Sequence, residues 1–362
     1  MYIWRYTKLQ IMHNENFLFD FDDLLIEPAH RTPIKSRKEV NPKRASGWMP
    51  LMTAPMDTVV TRENAFKFLK HWIVPVEPRM HNPQISHVST DKVFYSYSLE
   101  DFERIFLSNG KIYYVSDTTP VYALIDIANG HMEELYRIAR TAKKLYKNSM
   151  ILMIGNIANP IAFEDYARLD VDYIRIGIGN GNGCLTTVQT GIGYPIASLI
   201  HKCREIKDFH HYKTRIVADG GFKKYSDIIK GLALGADYVM LGSIFNKALE
   251  SAGETTKEDG TVIDQYTPEA KEMFNSDIPL YKTFRGMSTK EVQRDWGIDD
   301  LKTSEGVVRR NRVEYTLEGW VQNFDSYLRS AMSYTGKKEL RDFIGGVHWN
   351  LITQNSFNRF NK

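Results

Sequence analysis

Residues 214–243 read TRIVADGGFKKYSDIIKGLALGADYVMLGS. An apolar, β-rich run from Thr214 meets a glycine pair at Gly220 and Gly221. A segment with helical spacing, YSDIIKGLALG, then leads to a second apolar run from Ala236, which closes on Gly242 and Ser243. Strand, glycine turn, amphipathic helix and strand in this order are the mark of a parallel sheet with crossover helices.

The same alternation extends towards the N-terminus. Short apolar runs begin at Met49 (MPLMTA), Trp72 (WIVPV), Val93 (VFYSY), Tyr122 (YALIDI), Met150 (MILMIGN) and Val171 (VDYIRIG), which makes eight with the two above. Helical candidates lie between most of them, among them ENAFKFLKHW, LEDFERIFLSNG and HMEELYRIARTAKKLYK. Eight such units within about 250 residues match a (β/α)8 barrel, whereas a doubly wound sheet needs fewer strands. The expected fold is therefore an α/β TIM barrel forming a single domain over residues 21–345. An N-terminal extension of residues 1–20 precedes it and a C-terminal tail of residues 346–362 follows. Polar residues or glycines close several runs: Asp57, Asp126, Asn156, Gly177, Asp219 and Gly242. In a barrel these ends share one rim, where active sites are built. Beyond Phe245 the chain becomes more polar, and STKEVQRDWGIDDLKTSEG from Ser288 reads as an active-site excursion at about 280–320.

The totals narrow the function. A formal charge of +3 over 362 residues gives no basic stripe of the kind nucleic acid requires. Two cysteines, Cys184 and Cys203, cannot build a disulfide framework and lack the C-x-x-C spacing of zinc or redox sites. The first residues show no apolar h-region with a cleavage site, and no run approaches the ~18 apolar residues of a membrane span. These features lead to the expectation of a soluble cytoplasmic protein acting on a small molecule.

The stretch GIGNGNGCLTTVQTGIGYP, from Gly177, mounts one of the two cysteines on the most glycine-rich segment of the chain. Gly177, Gly179, Gly181 and Gly183 form a pliable strap that ends at Cys184. A loop thiol of this kind can serve as a nucleophile, although a free cysteine is more commonly buried and inert. Cys203, in the helical ASLIHKCREI, takes the inert reading. The VADGG and MLGS strand ends offer backbone amides to a phosphate, and late barrel loops are a frequent phosphate site.

Taken together, FDDLLIEP from Phe21, APMDTV from Ala54, GIGNGNGCLTT, TGIGYP from Thr190, ADGG with GADYVMLGS, RGMS from Arg285 and SEG from Ser304 resemble the inosine monophosphate dehydrogenase and GMP reductase family. The resemblance runs in order from about Phe21 to about Gly336. It implies a barrel that binds a purine nucleotide, GMP or IMP, and attacks C2 of the base with Cys184 to form a covalent thioimidate. By similarity to the reductases, Thr186 and Glu305 handle protons. Asp219 accepts from the ribose hydroxyls, and Gly220, Gly221, Gly242 and Ser243 cradle the phosphate. Gly286, Met287 and Ser288 lie along the base, with Ser304 and Gly306 flanking the substrate. Ser36 and Arg37 would meet the phosphate end of NADPH, and Asp126, Ile127, Ala128, Ile178 and Gly179 its nicotinamide end. The family also implies potassium on backbone carbonyls of Gly179, Gly181 and Cys184, and assembly as a homotetramer.

Within this resemblance the reductive branch is favoured, NADPH-dependent deamination of GMP to IMP and ammonia. The regulatory modules and the Arg-Tyr flap usual in the dehydrogenases are not visible, since Arg294 is followed by Asp295 and Trp296. A compact IMP dehydrogenase is the alternative, and a catalytically silent nucleotide-binding barrel is the third reading. Three residues depart from the family pattern: Pro78 followed by Arg79 where the reductases carry a lysine, Phe284 where the dehydrogenases carry a tyrosine, and Asn182 in place of the strap serine.

Overall fold

The computed structural model describes residues 17–80, 83, 92–108, 120–287, 289, 292, 294 and 306–360. Thirteen strands are named in chain order: β1 Leu24–Ile26, β2 Leu51–Thr53, β3 Val76–Glu77, β4 Phe94–Tyr97, β5 Val121–Asp126, β6 Met150–Ile157, β7 Tyr173–Ile176, β8 Arg215–Asp219, β9 Tyr238–Leu241, β10 Thr255–Lys257, β11 Leu280–Arg285, β12 Val308–Arg312 and β13 Trp349–Leu351. Strands β2 to β9 form one eight-stranded parallel sheet, each paired with its neighbour in sequence from β3 to β9, with β9 returning to pair with β2. A parallel bridge from Met52 to Val74 joins β2 to the segment leading into β3, with the Thr53 amide donating to the Val74 carbonyl at 3.1 Å. The sheet thereby curls into the (β/α)8 barrel that the eight apolar runs predict, each strand falling within or beside its run.

The alternation of strand side chains sorts the core into two compartments. Met52, Phe94, Leu124, Met153, Tyr173, Val217, Tyr238 and Met240 fill the barrel interior. Their neighbours Ile125, Ile154, Ile174, Ile216, Ala218 and Val239 face outward into the layer under the helices. Phe94 stands edge-on to Tyr122 and Tyr173, each with ring centroids 5.2 Å away. The crossover helices Glu133–Tyr146, Pro160–Arg168, Ile196–His210 and Tyr225–Leu234 cover the outside.

The excursion after β9 takes up β10, β11 and β12, an antiparallel sheet of its own. The chain then returns as the helix Leu317–Tyr334, whose buried Leu317, Trp320, Phe324, Leu328 and Met332 pack on the barrel. This helix completes the eighth unit, which the sequence pattern leaves open at Phe245. Residues beyond 346 are tied to the other end of the chain: β13 pairs antiparallel with β1, Leu24 opposite Leu351.

Candidate active site

On the inward face of each strand, the residue two places beyond a core side chain reaches the C-terminal rim. After Leu124 this is Asp126, after Tyr173 it is Arg175, and after Val217 it is Asp219. The three meet in one layer. The Arg175 guanidinium lies 2.6 Å from Asp126 and 2.9 Å from Asp219, both carboxylates being largely buried with it. Arg175 can cross to Asp126 because the strand between them presents Gly155, where a Cβ would stand 2.6 Å from that of Arg175. Burial works against the guanidinium's charge, yet the carboxylates of Asp219 and Asp126 outweigh it and hold its pKa above the ordinary value. Asn156 donates to Asp219 at 2.8 Å and to the Gly177 carbonyl at 2.7 Å, and Arg79 stands 3.7 Å from Asp126.

Above this layer the glycine strap runs across the barrel mouth. Gly220, with φ of 83°, lies so close beneath the strap that a Cβ there would come within 2.7 Å of the Gly181 nitrogen. The strap ends at Cys184, whose thiol donates to Thr186 Oγ at 3.2 Å. Cys184 is held from the other side by an antiparallel bridge to Gly306, while the Val307 amide donates to the Gly183 carbonyl at 3.2 Å and the Gly286 amide to the Val307 carbonyl at 3.0 Å. Asn182 donates to Ser243 Oγ at 3.0 Å, so the residue in place of the family's serine ties the strap to the MLGS turn.

These elements enclose a cavity of about 610 Å³, within the range of small-molecule sites. It gathers Cys184 and Thr186, the four expected phosphate-cradle residues Gly220, Gly221, Gly242 and Ser243, and Asp219. Also on its walls are Asp126, Ile127, Ala128, Ile178, Gly179, Gly181, Gly286 and Met287. Phe284 lines it too, with the Arg309 guanidinium over its ring at 4.9 Å. Ser288, Ser304 and Glu305 lie outside the described residues. Ser36 and Arg37 are not brought to the cavity: Ser36 caps the single turn Arg37–Glu39, its hydroxyl accepting from the Lys38 amide. Cys203 is fully buried in the helix Ile196–His210, and burial pushes its thiol pKa up, away from reactivity.

Reading the sequence alone gives no role to Arg175 or Asn156 and does not pair Asp57 with Arg285. The signal for Arg175 is present in YIRI, since a lone cation inside a central strand must find partners within the barrel. Arg285 of RGMS grips the Asp57 carboxylate with Nε and Nη2, which joins the base-side segment to the loop after β2.

Among the described residues no helix is long and apolar enough to cross a membrane. The profile of the IMP dehydrogenase / GMP reductase domain matches residues 116–359. GMP reductase 2 of Homo sapiens is 27% identical over 358 residues, covering 92% of this chain and 94% of that protein. GMP reductase of Caenorhabditis elegans is 28% identical over 358 residues, 92% of each chain, and that of Vibrio vulnificus (strain YJ016) 27% identical over 361 residues, 94% of this chain and 97% of that one. A barrel with a cysteine strap across its mouth, matched over most of its length, belongs to the IMP dehydrogenase / GMP reductase family.

Proposed function

We propose that this chain catalyses the NADPH-dependent reductive deamination of GMP to IMP and ammonia through a covalent adduct on Cys184. The observation that carries the reading is that Cys184 and Thr186 share one cavity with Asp219 and the expected phosphate cradle on one side and with Asp126, Ile127 and Ala128 on another. A nucleotide and a second planar group can therefore meet at one sulfur.

In this reading the phosphate rests on the amides around Gly220, Gly221, Gly242 and Ser243, and the ribose hydroxyls donate to Asp219. Asp219 is already oriented by Arg175 and Asn156, so it meets the sugar without reorganising. The Cys184 thiolate attacks C2, the C2–N bond breaks, and the departing amine takes a proton to leave as ammonia. Thr186, 3.2 Å from the sulfur, and Glu305 relay protons at this step. NADPH, when bound, supplies a hydride to C2, after which the C–S bond breaks and returns the thiolate with IMP. Asp126, Ile127, Ala128, Ile178 and Gly179, all of which line the cavity, would hold the nicotinamide end. A role for Ser36 and Arg37 at the far end rests on the family resemblance alone. Potassium would sit on the carbonyls of Gly179, Gly181 and Cys184. The Gly181 carbonyl accepts from the Cys184 amide at 3.0 Å and keeps a second lone pair for an ion. Homotetrameric assembly and a cytoplasmic setting complete the proposal.

Purified protein given GMP and NADPH is expected to consume NADPH and release ammonia in equal amounts. Failure to do so, with IMP-dependent reduction of NAD instead, would assign the dehydrogenase reaction. Binding of GMP without turnover in either direction would assign a silent nucleotide-binding barrel.

A further inference from the structure

Behind the cavity wall lies a polar cluster whose side chains line no part of the cavity. Asn246 ends the short helix Ser243–Asn246 that follows the phosphate-side turn, and it is fully buried. Its Nδ2 donates to the Thr58 carbonyl and to the Thr283 carbonyl, both at 2.9 Å. Its Oδ1 accepts from Asn311 Nδ2 at 2.7 Å. Carbonyl oxygens only accept, so both amide protons are committed and the orientation of the carboxamide is fixed.

The three partners belong to three separate segments of the chain. Thr58 adjoins Asp57, the carboxylate that grips Arg285. Thr283 lies on β11, two residues before Arg285 and three before Gly286. Asn311 lies on β12, which pairs with β11 along its length. Around them, Lys282 donates to the Ser251 and Gly253 carbonyls, Ser251 Oγ donates to the Asn246 carbonyl, and the Gly253 amide donates to the Thr58 carbonyl. Gly242, Ser243 and Ile244, just before Asn246, line the cavity, as do Phe284, Gly286 and Met287, just after Thr283. One carboxamide thus spans the root of the phosphate-side turn and the root of the base-side segment.

We propose that Asn246 is a positioning residue that fixes the distance between the phosphate cradle and the Gly286–Met287 segment, and with it the placement of the base over Cys184. The inference rests on the function proposed above, because the reaction is what makes that distance matter. Asn246 reaches no ligand itself. Its loss leaves each half of the site able to bind its part of the nucleotide but lets the reacting carbon drift from the sulfur, and misplacement of about 1 Å at a reacting centre costs up to about a hundredfold in rate.

The test measures kcat and KM for GMP with NADPH, together with protection of Cys184 from iodoacetamide by GMP, in the wild-type enzyme and in Asn246→Ala. The expected result is a fall in kcat of about tenfold or more, with the GMP concentration for half-protection changed less than about threefold. Unchanged kcat per folded molecule overturns the proposal, as does a loss confined to KM. If Asn246→Ala does not fold, Asn311→Ala, which removes only the contact to Oδ1, is held to the same two criteria. Wild-type turnover of GMP is measured in the same assay, so its absence would count against the proposed function and an unaffected variant against the role of Asn246.

Discussion

Arg175 shows how one side chain organises a site. It is a buried cation between two carboxylates, each already the best candidate for a different task, Asp219 for a ribose and Asp126 for the neighbouring group. A buried ion pair adds little net stability when complete, but breaking it leaves uncompensated charge. Arg175→Met is therefore expected to cost about 3–5 kcal/mol in urea unfolding, because Asp126 and Asp219 lose their common partner. A cost below about 1 kcal/mol would show that water or Arg79 already neutralises the pair. Arg175 was legible in principle from the period-two reading of YIRI: Ile174 and Ile176 face out, so Arg175 faces in. The gap that admits it, Gly155 on the next strand, was not, since nothing in MILMIGN says which neighbour its missing side chain accommodates.

At the scale of elements, the antiparallel sheet β10–β12 is the part least visible in the sequence. The polar composition beyond Phe245 reads as an excursion, but the pairing of β10, β11 and β12 depends on contacts between distant carbonyls and amides that leave no pattern. Lys282 is the extreme case, a lysine with no exposed surface whose amine donates to two backbone carbonyls. Burial pushes its pKa down to about 7, only partly offset by Glu250 and Asp264. The unfolded side chain holds its proton up to the ordinary 10.5, so between these values the unfolded chain binds more protons and stability rises with pH. The difference in unfolding free energy between wild type and Lys282→Met is expected to move in favour of the wild type as pH rises from about 7 to about 9, measured by urea titration at each pH. A difference flat over that window would mean that the amine keeps its proton in the folded sheet.

For the whole molecule, the barrel was the most legible feature, because eight apolar runs with helical spacing between them admit few closed arrangements. The strap could be read as pliable, but the sequence did not say what lies beneath it. The fold supplies that: Asp219 and Gly220 stand directly under the strap, and Gly306, just before β12, is bridged to Cys184. The closing helix Leu317–Tyr334 is not legible as a barrel element because its strand β9 lies so far before it in sequence. The proposed reaction requires the barrel to bring a nucleotide and a hydride source to the same sulfur. The most direct test is mass spectrometry of enzyme acid-quenched during turnover with GMP and NADPH, followed by peptide mapping. The peptide containing Cys184 should carry the nucleotide without its 2-amino group, and Cys184→Ala should neither form the adduct nor turn over; continued turnover with Cys184 always unmodified would contradict the account.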